Sequence, residues 1–237
     1  MSGQTVGHTA GLMGACLALT LALGSVPVQA DTQPRGSAYQ QRLASADSSP
    51  ATPLALPRAK DFNGSSLGLS DCQVAQQLTP GSVLAVCRDK KADRRNDRGL
   101  RLILARSDDE RPRIILRGPG GGDAYTATFT AFALPHSAGQ ILLVDFAAEF
   151  HYGTQVFYLP EEGKPRLAGS IDGVALDDDQ EAASPTRYAR VSGDPGGFNI
   201  RFDRPLVRIG RDGLPGEAQR ASYRYEAAAG RWTRNKN

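Results

Sequence analysis

The sequence predicts a mainly β protein, a single antiparallel β domain with one short N-terminal helix. Short segments rich in β-branched and aromatic residues recur along the chain, and several alternate apolar with polar side chains, as strands with one buried face do. Gly, Pro, Asn and Asp cluster between these segments, where turns need them. About eleven strands with mostly short connections fit a sandwich, a closed barrel or a propeller-like meander, and these three alternatives stay open.

The first thirty residues predict export. Residues 1–30 contain no Asp, Glu, Lys or Arg, and residues 10–28 form a nearly continuous apolar and small-residue run. The run closes on Val28-Gln29-Ala30, a small-x-small ending of the kind that signal peptidase accepts, so we expect a signal peptide over 1–30. Its strongly apolar part is about twelve residues long, whereas a bilayer span takes roughly twenty. We therefore expect a periplasmic or secreted protein without stable membrane insertion after cleavage, and a lipoprotein anchor at Cys16 is disfavoured because Cys16 lies inside the run.

Composition divides the remainder into a linker and a folded domain. Residues 31–60 are rich in Ser, Ala, Pro, Gln and Thr and lack apolar periodicity, so we interpret them as a disordered linker before a β domain at 61–237. At the start of that domain Ser70 can cap a short helix over residues 71–78, with Asp71 near its positive end. Residues 83–87 then predict the first strand.

Two cysteines remain after the predicted cleavage, Cys72 and Cys87. An even number in an exported chain predicts one disulfide, here joining the short helix to the first strand. A loop of this size should stabilise the fold by about 3 kcal/mol. The spacing matches neither a zinc site nor a Cys-x-x-Cys redox pair.

Residues 88–101 form a basic segment, with seven basic side chains against three aspartates. Its composition is typical of a solvated loop. The alternative is an electrostatic docking surface for an acidic partner, for which Arg94, Arg95 and Arg98 are the candidates. The whole chain carries a net charge of only +3, which is too small to indicate nucleic acid or a membrane surface as partner.

A hairpin is predicted over residues 100–105 and 113–116, and a glycine-rich stretch at 118–122 follows it. This stretch lacks the Gly-Lys-Ser/Thr ending of a phosphate loop, so nucleotide binding is not expected, and no other cofactor is indicated. Residues 125–131 alternate as a strand.

Residues 140–159 are the most apolar and aromatic part of the chain after 1–30 and predict the central strand pair. The even positions form an apolar face: Leu142, Val144, Phe146, Ala148, Phe150 and Tyr152. The opposite face starts apolar and turns polar at Asp145, so only one face is expected to be core. The chain is expected to reverse near Gly153.

Asp145, Glu149 and His151 share the polar face and are the natural candidates for catalysis. Along a regular strand Asp145 and Glu149 stand roughly 13 Å apart, beyond the about 5 to 9.5 Å that separates paired glycosidase carboxylates. No serine-hydrolase elbow and no His-Glu-x-x-His motif is present. We interpret the three residues as a polar rim and disfavour an enzyme.

An acidic segment at residues 172–181 includes Asp177, Asp178 and Asp179. A calcium loop is one interpretation, but the alternating acids and central glycine of an EF-hand loop are missing. The favoured interpretation is a solvated loop, opposite in charge to residues 88–101.

The C-terminal part predicts strands at 198–202 and 206–209 and a closing hairpin over 221–226 and 231–234. Tyr223, Tyr225 and Trp232 come to one face of that hairpin. They either complete the core or form part of a partner-binding surface, since Tyr, Trp and Arg dominate interface hot spots.

Together these features predict an exported envelope protein that binds another envelope protein. The function we expect is that of an inhibitor or immunity protein that neutralises an envelope-acting enzyme, such as a peptidoglycan hydrolase, by inserting loops into its cleft. The alternative is a secreted hydrolase or polysaccharide-binding protein that uses Asp145, Glu149 and His151. A structural envelope component is the third hypothesis.

Overall fold

The computed structural model describes residues 48–93, 97–106, 112–135, 139–148, 152–210 and 214–236. Antiparallel strands dominate them and helices are few and short, which confirms the predicted mainly β class. The described strands form several separate sheets and no closed barrel, so the barrel alternative is wrong. The predicted signal peptide at 1–30 lies outside the described residues.

The described elements have the following bounds. The strands are β1 Ser49–Pro50, β2 Thr52–Leu54, β3 Leu69–Thr79, β4 Ser82–Asp89, β5 Leu100–Arg106, β6 Arg113–Arg117, β7 Thr126–Ala133, β8 Gly139–Ala147, β9 Tyr152–Pro160, β10 Arg166–Asp172, β11 Val174–Leu176, β12 Ala182–Ala183, β13 Ala189–Asp194, β14 Gly197–Phe202, β15 Leu206–Ile209, β16 Pro215–Gln219, β17 Ala221–Glu226 and β18 Arg231–Lys236. The one-turn helix α1 spans Lys90–Asp93, and 3₁₀ helices span Gly64–Leu67 and Pro185–Tyr188.

The strands pair into four antiparallel sheets. The first sheet has the order β3-β4-β5-β6, and the central sheet has the order β10-β9-β8-β7-β2. The C-terminal sheet has the order β1-β13-β14-β17-β18, and the small sheet has the order β12-β11-β15-β16. The first and central sheets are mostly meanders, in which sequence neighbours are also sheet neighbours.

The central sheet is buried on both faces. Leu142 and Val144 of β8 pack against the first sheet, whereas Ile141 and Leu143 pack against the C-terminal sheet. The prediction that only one face is core is therefore wrong, and even Asp145 is only 6% exposed. The near-continuous apolar run of β8 is the pattern of a strand covered from both sides.

The predicted helix over residues 71–78 is wrong, because these residues belong to β3. Val74 pairs with Val86 and Gln76 with Leu84 across the hairpin to β4. The capping signal at Ser70 and Asp71 instead marks a break in the register between Ser70 and Val74, where Asp71 has a φ of 49°. Long-range strand pairing outweighs the weak local preference for a helix.

The predicted disulfide between Cys72 and Cys87 is confirmed, with Cα atoms 4.1 Å apart. It joins neighbouring strands β3 and β4 at the register break instead of fastening a helix to the sheet. The first 3₁₀ helix lies against it, since a Cβ added to Gly64 would come within 2.7 Å of the Cys72 Sγ. A glycine is therefore required where that helix crosses the disulfide.

Two short strands lie in the segment assigned to the linker. β1 pairs with β13 and β2 pairs with β7, so residues 49–54 run along the edges of two sheets. β8 ends at Ala147 and β9 begins at Tyr152, so Gly153, near which the reversal was predicted, already lies in β9. The predicted hairpins β5–β6 and β17–β18 are present.

Candidate functional site

The outer face of the first sheet has an apolar half and a charged half. Strand register places Cys87 opposite Arg101 and Ile103 opposite Arg117, so these side chains share one face. Phe62 and Leu67 cover the apolar half. The charged half continues the same face beyond this cover.

The charged half is the floor of an open cavity of about 490 Å³, which we call the charged cleft. One wall is the start of α1, and the other is the glycine-rich stretch after β6. The lining residues are Asp89, Lys91, Ala92, Asp97, Arg101, Arg117, Gly118 and Pro119.

The glycine-rich stretch at 118–122 continues β6 along β5. The Gly118 N–H donates to the Leu102 carbonyl at 2.8 Å, and the Gly121 N–H donates to the Leu100 carbonyl at 2.7 Å. A Cβ at Gly120 would lie 2.0 Å from the backbone oxygen of Arg98, so no larger residue fits there. The glycines thus allow the backbone to approach β5 closely and form a wall of the cleft.

Asp89 is buried in the cleft floor, and both of its carboxylate oxygens accept hydrogen bonds from the chain itself. Its Oδ1 accepts the Lys91 backbone N–H at 2.9 Å, and its Oδ2 accepts the Arg117 Nε at 2.7 Å. Burial acts to raise the pKa of this carboxyl, but the hydrogen bonds from Lys91, Arg117 and Ala92 outweigh burial and lower the pKa. Asp89 therefore stays ionised and fixes the Arg117 side chain.

Arg101 and Asp97 form the second ion pair of the floor. Arg101 is only 1% exposed, and its Nη1 donates to the Asp97 Oδ2 at 2.7 Å and to the Gly118 carbonyl at 3.2 Å. The other oxygen of Asp97 accepts the Gly120 N–H at 2.8 Å. The hydrogen bond from Arg101, followed by that from Gly120, lowers the pKa of Asp97.

The unused hydrogen-bonding capacity of the cleft belongs to its cations. All four carboxylate oxygens of Asp89 and Asp97 accept hydrogen bonds from within the chain. Lys91 is exposed, and its ammonium group has no partner among the described residues. The Arg117 side chain is 45% exposed and binds Asp89 through Nε alone, which leaves its terminal nitrogens open to solvent. Charge-assisted donors without acceptors are suited to an anionic ligand.

Of the three basic residues predicted as a docking surface, the structure describes one. Arg98 is exposed, next in sequence to the lining residue Asp97, whereas Arg94 and Arg95 lie outside the described residues. Sequence reasoning missed Arg117, the last residue of β6, and did not single out Lys91 or Arg101 within the basic segment. The predicted β5–β6 hairpin gave no signal for Arg117, because a regular register from the Arg106–Arg113 pair would set it opposite Leu102. A bulge between Leu104 and Ala105 sets Arg117 opposite Ile103 instead, on the face that carries Arg101.

The acidic segment folds back on itself. The Asp177 Oδ1 accepts the backbone N–H groups of Asp179 and Glu181, and Asp178 forms an ion pair with Arg204. The Arg204 guanidinium lowers the pKa of Asp178. No group of three or more Cys, His, Asp or Glu side chains within the described ranges could hold a metal ion.

The aromatic hairpin residues lie mainly in the core. Tyr223 and Tyr225 are 2% and 1% exposed, in the cluster between the central and C-terminal sheets. Trp232 is partly buried, stacks on Tyr223 and donates from Nε1 to the Ser170 carbonyl. Neither tyrosine is accessible to a partner in this structure.

Asp145 lies in a cage of hydroxyl groups between β8, β9 and the second 3₁₀ helix. Thr154 donates to its Oδ1 at 2.6 Å, and Ser184 and Thr186 donate to its Oδ2. Burial raises the pKa of Asp145 more than these hydrogen bonds lower it. Glu149 and His151 lie outside the described residues, so the predicted polar trio is represented by an enclosed carboxylate alone.

The described residues contain no helix long and apolar enough to cross a bilayer. Comparison with protein-family models, with curated proteins and with solved structures found no match. A functional hypothesis for this chain therefore depends on its own geometry.

Proposed function

We propose that this chain is an exported envelope protein that binds an acidic surface of another envelope protein through the charged cleft. The partner class that we propose is an envelope-acting enzyme, such as a peptidoglycan hydrolase, which the bound chain neutralises. The observation that carries the proposal is the pairing state of the cleft: its carboxylates are satisfied internally, whereas Lys91 and Arg117 present free donors outward.

The distribution of charge supports an acidic partner. Residues 58–117 hold thirteen basic and eight acidic side chains, a net charge of +5, although the whole chain has a net charge of only +3. The positive charge is therefore concentrated in the first sheet and the segments beside it. Such asymmetry steers an oppositely charged partner and speeds association.

The surroundings of the cleft support binding rather than turnover. Its floor is a paired sheet, with the disulfide of β3 and β4 on the same face. Its titratable carboxyls have lowered pKa values and fixed partners, whereas a general acid or base at neutral pH requires a raised one. A disulfide also fits a protein that works in an oxidising compartment.

The test is capture from envelope extract by immobilised protein, with a double variant of the cleft. K91Q/R117Q removes both free cations, and glutamine at 117 keeps an N–H donor for Asp89. K164Q/R220Q is the matched control, because Lys164 and Arg220 are exposed and lie outside the first sheet. We expect a stoichiometric partner with wild type and with the control, and at least about tenfold less with the cleft variant, since truncating one partner of a charge pair that is buried and hydrogen-bonded in the complex costs about 2 kcal/mol or more.

A second measurement tests neutralisation. The captured partner is assayed on purified peptidoglycan with and without an excess of the protein. We expect wild type and the K164Q/R220Q control to suppress turnover, and K91Q/R117Q to suppress it less. Equal capture by all three proteins, or no partner at all, contradicts the proposed function.

A further inference from the structure

We infer that the charged cleft binds one carboxylate, an Asp or Glu side chain of the partner, between the terminal nitrogens of Arg117 and the ammonium group of Lys91. The inference rests on the proposed function and specifies the chemistry of recognition. It names a ligand class for a cavity whose floor is built from buried, ion-paired side chains.

The Arg117 guanidinium is held in place before any ligand arrives. Its Nε donates to the Asp89 Oδ2 at 2.7 Å, and the carboxylate of Asp89 is itself fixed by the Lys91 N–H. The two terminal nitrogens remain, and they form the planar edge that binds a carboxylate through two parallel hydrogen bonds. Because the side chain is already oriented, less conformational entropy is lost on binding.

The charge of the lining selects a monoanion. Three cations, Lys91, Arg101 and Arg117, face two ionised carboxylates, Asp89 and Asp97, so the lining carries a net charge of +1. One carboxylate neutralises this charge, whereas a phosphate dianion exceeds it. The two carboxylates also repel an anion that approaches the floor, so the ligand is held at the mouth.

The backbone donors of the cleft also favour a carboxylate over a phosphate. Phosphate sites commonly use several free backbone N–H groups. In the cleft the N–H groups of Lys91 and Ala92 are bonded to Asp89, and that of Gly120 is bonded to Asp97. The Nε of Arg101 also lacks a partner among the described residues, but it is buried. The exposed donors left over belong to two side chains, Lys91 and Arg117, which suits the two oxygens of a carboxylate.

The first experiment titrates the purified, disulfide-bonded protein with sodium acetate at constant ionic strength, followed by NMR of backbone and arginine Nε–H signals. Chloride is the ionic control and inorganic phosphate is the competing anion. We expect saturable shifts at Lys91 and Gly118 with acetate, and a smaller response to phosphate. We expect K91Q to weaken acetate binding about threefold, in the range of one exposed ion pair.

R117K is the decisive variant, because it keeps the positive charge and removes the planar pair of donors. Acetate binding should fall in R117K and stay unchanged in K164Q/R220Q. Binding that R117K preserves, phosphate shifts equal to or larger than those of acetate, or no saturation overturns the carboxylate site. This titration needs no partner, so its failure while capture from envelope extract succeeds refutes this inference and leaves the proposed function standing. Saturable acetate binding without a captured partner supports the carboxylate site and contradicts the proposed function.

Discussion

The hydroxyl cage around Asp145 should contribute measurably to the stability of the fold. Thr154 is 1% exposed and donates to the Asp145 Oδ1 at 2.6 Å. Thr154→Val keeps the shape of the side chain and removes this donor from a buried carboxylate. Hydrogen bonds to charged groups contribute about 1.5–3 kcal/mol, so T154V should lower the free energy of unfolding by that amount near neutral pH.

The loss should depend on pH, and the sign follows from the direction of the pKa shift. Burial raises the pKa of Asp145 above its ordinary value of 3.8, so the folded protein binds this proton more tightly than the unfolded chain. The contribution of Asp145 to stability is therefore greatest below the unfolded value and falls as the pH rises through the folded one. Once Asp145 is protonated, the bond to Thr154 is between neutral groups and contributes only about 1 kcal/mol.

The assay is urea unfolding, with the disulfide intact, at a series of pH values from about 7.5 to about 3.5, which extends below the ordinary pKa of this carboxyl. Thr126→Val is the matched control, because Thr126 is an exposed residue of β7, and it should change stability by less than about 0.5 kcal/mol. A T154V loss no larger than that of T126V at neutral pH refutes the reasoning. A loss that stays constant as the pH falls refutes the assignment of Asp145 as the titrating group.

Three further predictions concern the first sheet. C72S/C87S should lower the free energy of unfolding by about 3 kcal/mol, measured by urea unfolding against the oxidised wild type. Gly120→Ala should cost about 1–3 kcal/mol, because its Cβ meets a backbone oxygen at 2.0 Å, whereas Gly153→Ala, with nothing within 4 Å, should cost less than about 0.5 kcal/mol in the same assay. The lowered pKa of Asp89 gives stability that is present above pH 3.8 and is lost as the pH falls through the folded value, so wild type should lose more stability than Asp89→Asn in acid unfolding.

Strands that carry a strong local pattern could be predicted from the sequence. The alternation of Phe198 and Ile200 with polar residues identified β14. Two short aromatic segments on either side of residues 227–230 identified the β17–β18 hairpin. β3 was mistaken for a helix because Ser70 and Asp71 resemble a helix cap. The pairing of Val74 with Val86 depends on tertiary structure, which the local sequence does not show. β13 was missed because its glycine and polar residues lack apolar alternation.

The charged cleft was predictable only as a region of positive charge. The excess of basic residues in 88–101 indicated where an anion could bind, but the sequence does not say which cations are already paired. Arg101 forms an ion pair with Asp97, whereas Arg117, outside the basic segment, is placed in the cleft by the register of β5 and β6. Likewise the sequence shows Asp145 only as the start of a polar face. In the structure it is buried, and Ser184 and Thr186, distant in sequence, donate to it.

The pairing of β1 with β13 has a consequence for the order of assembly. β1 is near the start of the described chain, yet its partner is made only after β2 to β12 have been synthesised. Since a chain emerges from its N-terminal end, the meander of β3 to β10 is complete while the C-terminal sheet still lacks its strands. Until they arrive, the face of β8 that carries Ile141 and Leu143 stays open to water. A chain at this stage displays an apolar sheet surface, so a chaperone that binds such surfaces can act until the last fifth of the protein, from β13 onwards, has appeared.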